Sequence, residues 1–293
     1  MNASNLTSTY SGPVRAVVLD WAGTAVDYGC MGMAAVFVHV FDAFDIHVSV
    51  TEARQFMGLA KKEHIRRMCR LPGVVTQWQE QYGRMPDESD VDLLYVRTEP
   101  MMVDTIADHA ALIDGLLPFV AAMREQGILI GSCTGYTAPM MQVLTDQAAR
   151  QGYTPDCMVC ASDVPAGRPY PWMCYQNAIR LQIYPMAAMI KIGDTVSDIE
   201  EGLNAGMWTI GLTQSGNELG LPADLVAAVP PSEMERRLAV IEARYRQAGA
   251  HYVVRGIWEC TAVVEDIGRR LARGEHPMME LSPVQECMQA VAG

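Results

Sequence analysis

Four short segments hold carboxylate, hydroxyl and guanidinium side chains of the kinds that do chemistry together. Asp20 follows the apolar run 14–19 and opens "DWAGT" (20–24), and Thr134 stands in "SCTGY" (132–136). Arg168 lies in "GRPYPW" (167–172), and Asp194 and Asp198 in "KIGDTVSD" (191–198). A carboxylate where a buried strand ends is placed to attack, and an arginine or a divalent cation can hold an anionic substrate beside it. Each residue has an ordinary reading as well: Asp194 and Asp198 as turn or helix-capping residues, Arg168 as a surface ion-pair partner. The four segments in this order favour the chemical reading.

Such residues act together only if the chain sets them side by side. The apolar runs 14–19, 128–132, 189–192 and 209–212 end in small or polar residues and read as buried parallel strands. Between them lie helical patterns such as 116–126 and 139–151, the second closed by Gly152, as a βαβ alternation requires. In sheets of this kind chemistry gathers at the carboxyl ends of the strands, where Asp20, Thr134 and Asp194 fall. The interval 30–110 breaks the rhythm. Its amphipathic patterns at 33–44, 51–57, 62–69 and 90–108, with no convincing strand, predict a helical insertion. Past residue 233 a helix to 249, a short strand at 251–254 and a helix near 260–273 are expected.

In type, order and spacing the four segments resemble the motifs of the haloacid dehalogenase superfamily. The resemblance implies an α/β, doubly wound parallel-sheet (Rossmann-like) core at 14–29 and 111–275. An inserted α-helical cap domain occupies 30–110, and polar tails 1–13 and 276–293. It makes Asp20 the nucleophile and a Mg2+ ligand, with Asp194 and the main-chain carbonyl of Ala22 completing the protein ligands. Thr134 and the backbone of Gly135 bind phosphoryl oxygens, Arg168 fixes the remaining charge, and Asp198 orients the surroundings of the metal.

In phosphatases of this superfamily the position two after the nucleophile is usually a second Asp, which protonates the departing alkoxide. Here it is Ala22. A carbon leaving group needs an electron sink instead, and a lysine imine next to the scissile bond provides one. The chain has lysines at 61, 62 and 191 alone. "DWAGTAVDYGC" (20–30), "MGLAKKEH" (57–64), "GSCTGYT" (131–137) and "DVPAGRPYPWMCYQNA" (163–178) together look like the phosphonoacetaldehyde hydrolases, or phosphonatases. That resemblance spans roughly residues 14 to 270. It implies Mg2+-dependent P–C cleavage of a small phosphonate, with Lys61 forming the imine. His64, on the same helix face, could shuttle protons, and Cys30, Met57 and Tyr136 would line the pocket. It also implies a homodimer through cap helices. Two positions depart from the family string: Ala25 replaces a hydroxyl, and Cys133 precedes Thr134 where a threonine is expected. The rival readings are a superfamily phosphatase or mutase acting on phosphate esters, and a catalytically silent binding protein.

At 293 residues, 50% hydrophobic, the chain can bury a sizeable core. A formal net charge of −12 argues against nucleic-acid or membrane-surface partners, so an anionic substrate must be held by local devices. No run reaches the roughly 18 apolar residues of a membrane span. The first thirteen residues read as a polar arm and not as a signal peptide, which makes the triplets at Asn2 and Asn5 chance matches. The eight cysteines, Cys157 and Cys160 included, read as free structural thiols of a reducing cytoplasm.

Overall fold

The computed structural model describes residues 10–277. Residues 1–9 and 278–293, which hold most of the two expected tails together with Asn2, Asn5 and Cys287, lie outside the described residues. Six strands form one parallel sheet: β1 Ala16–Leu19, β2 Leu129–Thr134, β3 Cys157–Cys160, β4 Met189–Gly193, β5 Trp208–Leu212 and β6 Tyr252–Val254. Their order is β3-β2-β1-β4-β5-β6. Every residue of β1, β4 and β5 is buried, which is why these strands read as unbroken apolar runs and not as alternating ones. Val17 and Leu19 face one core and Ala16 and Val18 the other, so helices cover both faces.

Leu19 lies opposite Ser132 on β2 and Ile192 on β4. That register brings Asp20, Thr134 and Asp194 out at one edge, on three neighbouring strands. The chain runs outward through β2 and β3 on one side of β1 and returns on the other with β4. Asp20 and Asp194 therefore flank the crevice where ligands bind in doubly wound sheets.

Between β1 and β2 the chain runs through α1 Met31–Asp42, α2 Val50–Arg54, α3 Lys61–Met68, α4 Pro72–Tyr82 and α5 Glu88–Ile106. α1 and α3 both pack on α5. The sequence reading missed α4, whose inner face offers only Val74 and Trp78 to the core. α6 Leu116–Glu125 then leads into β2. The two crossings between sheet and helical segment run side by side: Val26 bridges Leu112, and the Ile113 amide donates to the Ala25 carbonyl at 2.9 Å.

The rest follows the βαβ alternation, with α7 Ala138–Arg150, α8 Trp172–Leu181 and α9 Val196–Asn204 linking the strands from β2 to β5. After β5 come α10 Ala223–Val226 and α11 Pro231–Gln247, and α12 Cys260–Ala272 follows β6. No described helix is long and apolar enough to cross a membrane. Cys30, Cys69, Cys133, Cys157, Cys160, Cys174 and Cys260 are all free and buried.

Candidate active site

At the end of β1 the chain turns sharply. The Trp21 carbonyl accepts from the amides of Thr24, Ala25 and Val26, and Asp20 is held in line by its amide bond to the Ile192 carbonyl at 2.9 Å. Gly23 sits at φ +77°, and a Cβ there would meet Asp194 Oδ2 at 2.3 Å, so the loop needs glycine to pass over the neighbouring carboxylate. Asp20 is buried. Arg168 Nη2 donates to its Oδ1 at 2.7 Å and to the Cys133 carbonyl at 3.0 Å, while Arg168 Nε donates to Glu201 Oε2 at 2.8 Å. Arg168 is therefore a buried hub and not a surface ion-pair partner.

Asp198 works as a cap: it occupies the third position of α9 in a capping box with Thr195. It is also paired to Lys191 and lies 3.1 Å from Arg168 Nη2. Burial would raise its carboxyl pKa, but Arg168 and Lys191 outweigh that and hold it below the usual range. The same pairing raises the pKa of the buried Lys191 despite desolvation. Lys191 stays a charged structural partner, unsuited to nucleophilic attack.

The helical segment supplies the other wall. Lys61 is the first residue of α3 and is buried, with Nζ 4.5 Å from the centroid of the Tyr136 ring. Burial pushes its pKa down to about 8 against the pull of Asp20, and the positive end of α3 acts in the same direction. Lys62 points away, only half-buried, and is paired with Asp92 and Glu88. Gly58, at φ +86°, presses the approach to α3 against the start of α9: a Cβ there would meet Ser197 Oγ at 2.5 Å. Its carbonyl accepts from Arg168 Nη1 at 3.2 Å.

The two walls face each other across one pocket. Asp20, Ala22, Thr134, Gly135, Tyr136, Arg168, Asp194 and Thr195 line it from the sheet side, and Cys30, Met33, Met57, Gly58 and Lys61 from the other. The structure thus gathers every expected site residue around one cavity except His64. His64 shares the buried face of α3 with Lys61, but its Nε2 is engaged by the Ala53 carbonyl at 2.8 Å and its ring lies 3.9 Å from that of Phe37. Burial and the nearby Lys61 charge keep its pKa well below the usual value, so the ring is neutral, and Nδ1 has no partner.

Met33, Gly58, Thr195 and Glu201 were not anticipated. Gly58 and Thr195 lie inside quoted motifs, and Glu201 could have been found three residues after Asp198 on α9, one turn along the same face. Met33 carries no signal beyond an apolar pattern.

The carboxylate oxygens of Asp20, Asp194 and Asp198 come within 4.8 Å of one another. Asp198 is neutralised as described, whereas Asp194 has no basic partner among the described residues. Its contacts are the Asn217 amide at 2.8 Å, the Cys30 thiol at 3.4 Å and the Thr24 hydroxyl at 3.3 Å. Burial, followed by the charge of Asp20, raises its pKa well above the usual range, the mark of a carboxylate whose charge is uncompensated. Hard oxygen donors clustered in this way fit Mg2+.

A parallel sheet with this order, an aspartate ending its central strand and acidic groups beside it define a haloacid dehalogenase-like hydrolase, and the model of that family matches residues 14–206. A phosphonoacetaldehyde hydrolase-like protein of Syntrophobacter fumaroxidans is 55% identical over 94% of this chain and 100% of its own length. A phosphonoacetaldehyde hydrolase of Nitratidesulfovibrio vulgaris is 55% identical over 92% and 97%. The crystal structure of a phosphonoacetaldehyde hydrolase like protein from Oleispira antarctica superposes with a TM-score of 0.91 at 39% identity, covering 94% of this chain and 100% of that one. The chain belongs to the phosphonoacetaldehyde hydrolase family.

Proposed function

We propose that this chain hydrolyses the P–C bond of phosphonoacetaldehyde, releasing acetaldehyde and phosphate. The observation that carries this reading is a buried lysine amine, its pKa lowered to about 8, sharing one cavity with Asp20 where alanine stands two residues on. In this reading residues 30–110 form a cap over a core made of 14–29 and 111–275.

The amine of Lys61 attacks the aldehyde carbon and water leaves, giving an iminium. Asp20 then attacks phosphorus while the electrons of the P–C bond flow into the iminium. This leaves an enamine on Lys61 and an acyl phosphate on Asp20. Protonation of the enamine carbon and hydrolysis of the imine release acetaldehyde, and water cleaves the aspartyl phosphate. No alkoxide departs, so no acid is needed at position 22. Asp20, Asp194 and the Ala22 carbonyl would hold Mg2+, which when bound offsets the repulsion between carboxylate and phosphonate. Arg168, the Thr134 hydroxyl and the Gly135 amide hold the phosphoryl oxygens. Cys30, Met57 and Tyr136 exclude water from the aldehyde end. For His64 a proton-shuttling role falls to Nδ1, since Nε2 is already committed.

Exposed Leu93 and Val96, three apart on α5, support a homodimer formed through the helical segment, and the seven free thiols among the described residues support a cytoplasmic protein. Purified protein should release acetaldehyde and phosphate in equal amounts from phosphonoacetaldehyde. Turnover of a generic aryl phosphate without such release would favour an ester phosphatase and sink the reading.

A further inference from the structure

The loop after β5 ties the helical segment to one metal-site carboxylate through a single asparagine. Arg54, the last residue of α2, reaches across to the sheet side: its Nη1 donates to the Gly29 carbonyl at 2.8 Å and to Asn217 Oδ1 at 3.1 Å. Asn217 Nδ2 returns a hydrogen bond to the Arg54 carbonyl at 3.2 Å. The backbone amide of the same buried Asn217 donates to Asp194 Oδ2 at 2.8 Å. The other donor to Oδ2 is the Cys30 thiol at 3.4 Å, from the residue that leads into α1. Both groups orienting Oδ2 thus sit where the helical segment meets the sheet.

The loop is fastened on its other side as well. The Ser215 hydroxyl donates to the Gly23 carbonyl at 2.8 Å, and the Ser215 carbonyl accepts from the Gly29 amide at 2.8 Å. Asn217 is therefore the point at which a side chain of the helical segment can set the position of a donor to Asp194. Separation of that segment from the sheet would break the guanidinium bonds to Gly29 and Asn217 together and leave the Asn217 side chain without Arg54.

We propose that Arg54 and Asn217 form a closure latch, a pair of positioning residues through which docking of the helical segment orients Asp194 for its cation. The inference rests on the proposed function for its kinetic consequence but not for its structural one. Its test therefore begins without substrate, on the full-length chain. Magnesium binding is measured by titration calorimetry for the wild type, Arg54→Ala, Asn217→Ala and the double variant, beside hydrogen exchange of the 56–60 amides.

Each single variant should bind Mg2+ about 10-fold more weakly, the scale on which groups orienting a metal ligand act, and should exchange faster at 56–60. The double variant should be no worse than the weaker single one, because both remove the same link. Steady-state turnover should show the magnesium dependence moved by the same factor, with the substrate KM at saturating magnesium within about 3-fold of wild type. Trapping of acetaldehyde on Lys61 by borohydride, which does not involve Asp194, should be retained. Unchanged affinity in either single variant, or losses that simply add, would overturn the latch. If Arg54→Ala does not fold, Arg54→Gln with Asn217→Ala decides by the same criteria. A wild type that binds magnesium and responds to the variants but leaves phosphonoacetaldehyde intact would refute the proposed function and leave the latch standing.

Discussion

Lys61 Nζ lies 4.5 Å from the centroid of the Tyr136 ring, so a side chain of the helical segment and one from the loop after β2 meet around a single amine. The ring favours the ammonium form while burial disfavours it, and burial wins, leaving a pKa of about 8. The fraction of neutral amine therefore grows as pH rises through that value, and kcat/KM should climb about tenfold per unit below it and level off above. Tyr136→Leu removes the ring's attraction and should move the midpoint to lower pH by about 0.5 to 1 unit. The pH profile of acetaldehyde release decides, and a flat profile between pH 6 and 9 would refute the assignment. The same shift bears on folding. The folded pKa lies below the unfolded 10.5, so the folded state binds fewer protons between about 8 and 10.5 and stability should rise with pH across that window.

Asp20 receives a hydrogen bond from Arg168 and stands beside Asp194 with no second acid two residues on. Asp20→Asn keeps the shape and removes the nucleophile, so P–C cleavage should fall by roughly 10⁴-fold or more with the thermal midpoint nearly unchanged. Asp194→Ala should instead weaken magnesium binding, and exhaustive chelation of the wild type should stop turnover. Single-turnover cleavage by Asp20→Asn at near the native rate would show that another group attacks phosphorus.

Residues that end strands were the legible part of this site. Asp20, Thr134 and Asp194 follow apolar runs that β1, β2 and β4 reproduce to within two residues, because strands buried on both faces leave an unbroken signal. Lys61 was legible from chemistry combined with family resemblance, since Ala22 demanded a sink and few lysines were available. Met33, Arg54 and Asn217 were not, because their roles arise from how α1, α2 and the loop after β5 meet in space. Arg54 and Asn217 are 163 residues apart and share no local pattern. His64 shows the opposite limit. Spacing placed it correctly on the face of Lys61, but not the Ala53 carbonyl that engages its ring.

Ala22 lines the cavity close to three buried carboxylates. Ala22→Asp would add a fourth, with no alkoxide to protonate, and a like charge in such a site costs a few kcal/mol. Turnover of phosphonoacetaldehyde should drop by about one to two orders of magnitude, while hydrolysis of a simple phosphate ester should hold or rise slightly. Faster P–C cleavage in this variant would mean that the missing acid had been misread.

Of the three lysines, Lys61 alone combines burial with a depressed pKa. Lys62 is only half-buried and paired to Asp92, and Lys191 is locked against Asp198 with its pKa raised. An amine must shed its proton to attack an aldehyde, so imine formation should be confined to Lys61 at neutral pH. Borohydride added with acetaldehyde should reduce that imine to a secondary amine, inactivate the enzyme and add mass to one peptide. Lys61→Arg keeps a positive charge but cannot form this imine, and should lose nearly all P–C cleavage and all labelling. Lys62→Arg should keep near-native activity, since a surface ion pair contributes at most about 1 kcal/mol. Mass found on Lys62 or Lys191, or robust cleavage by Lys61→Arg, would overturn the imine mechanism even with the aspartyl chemistry intact.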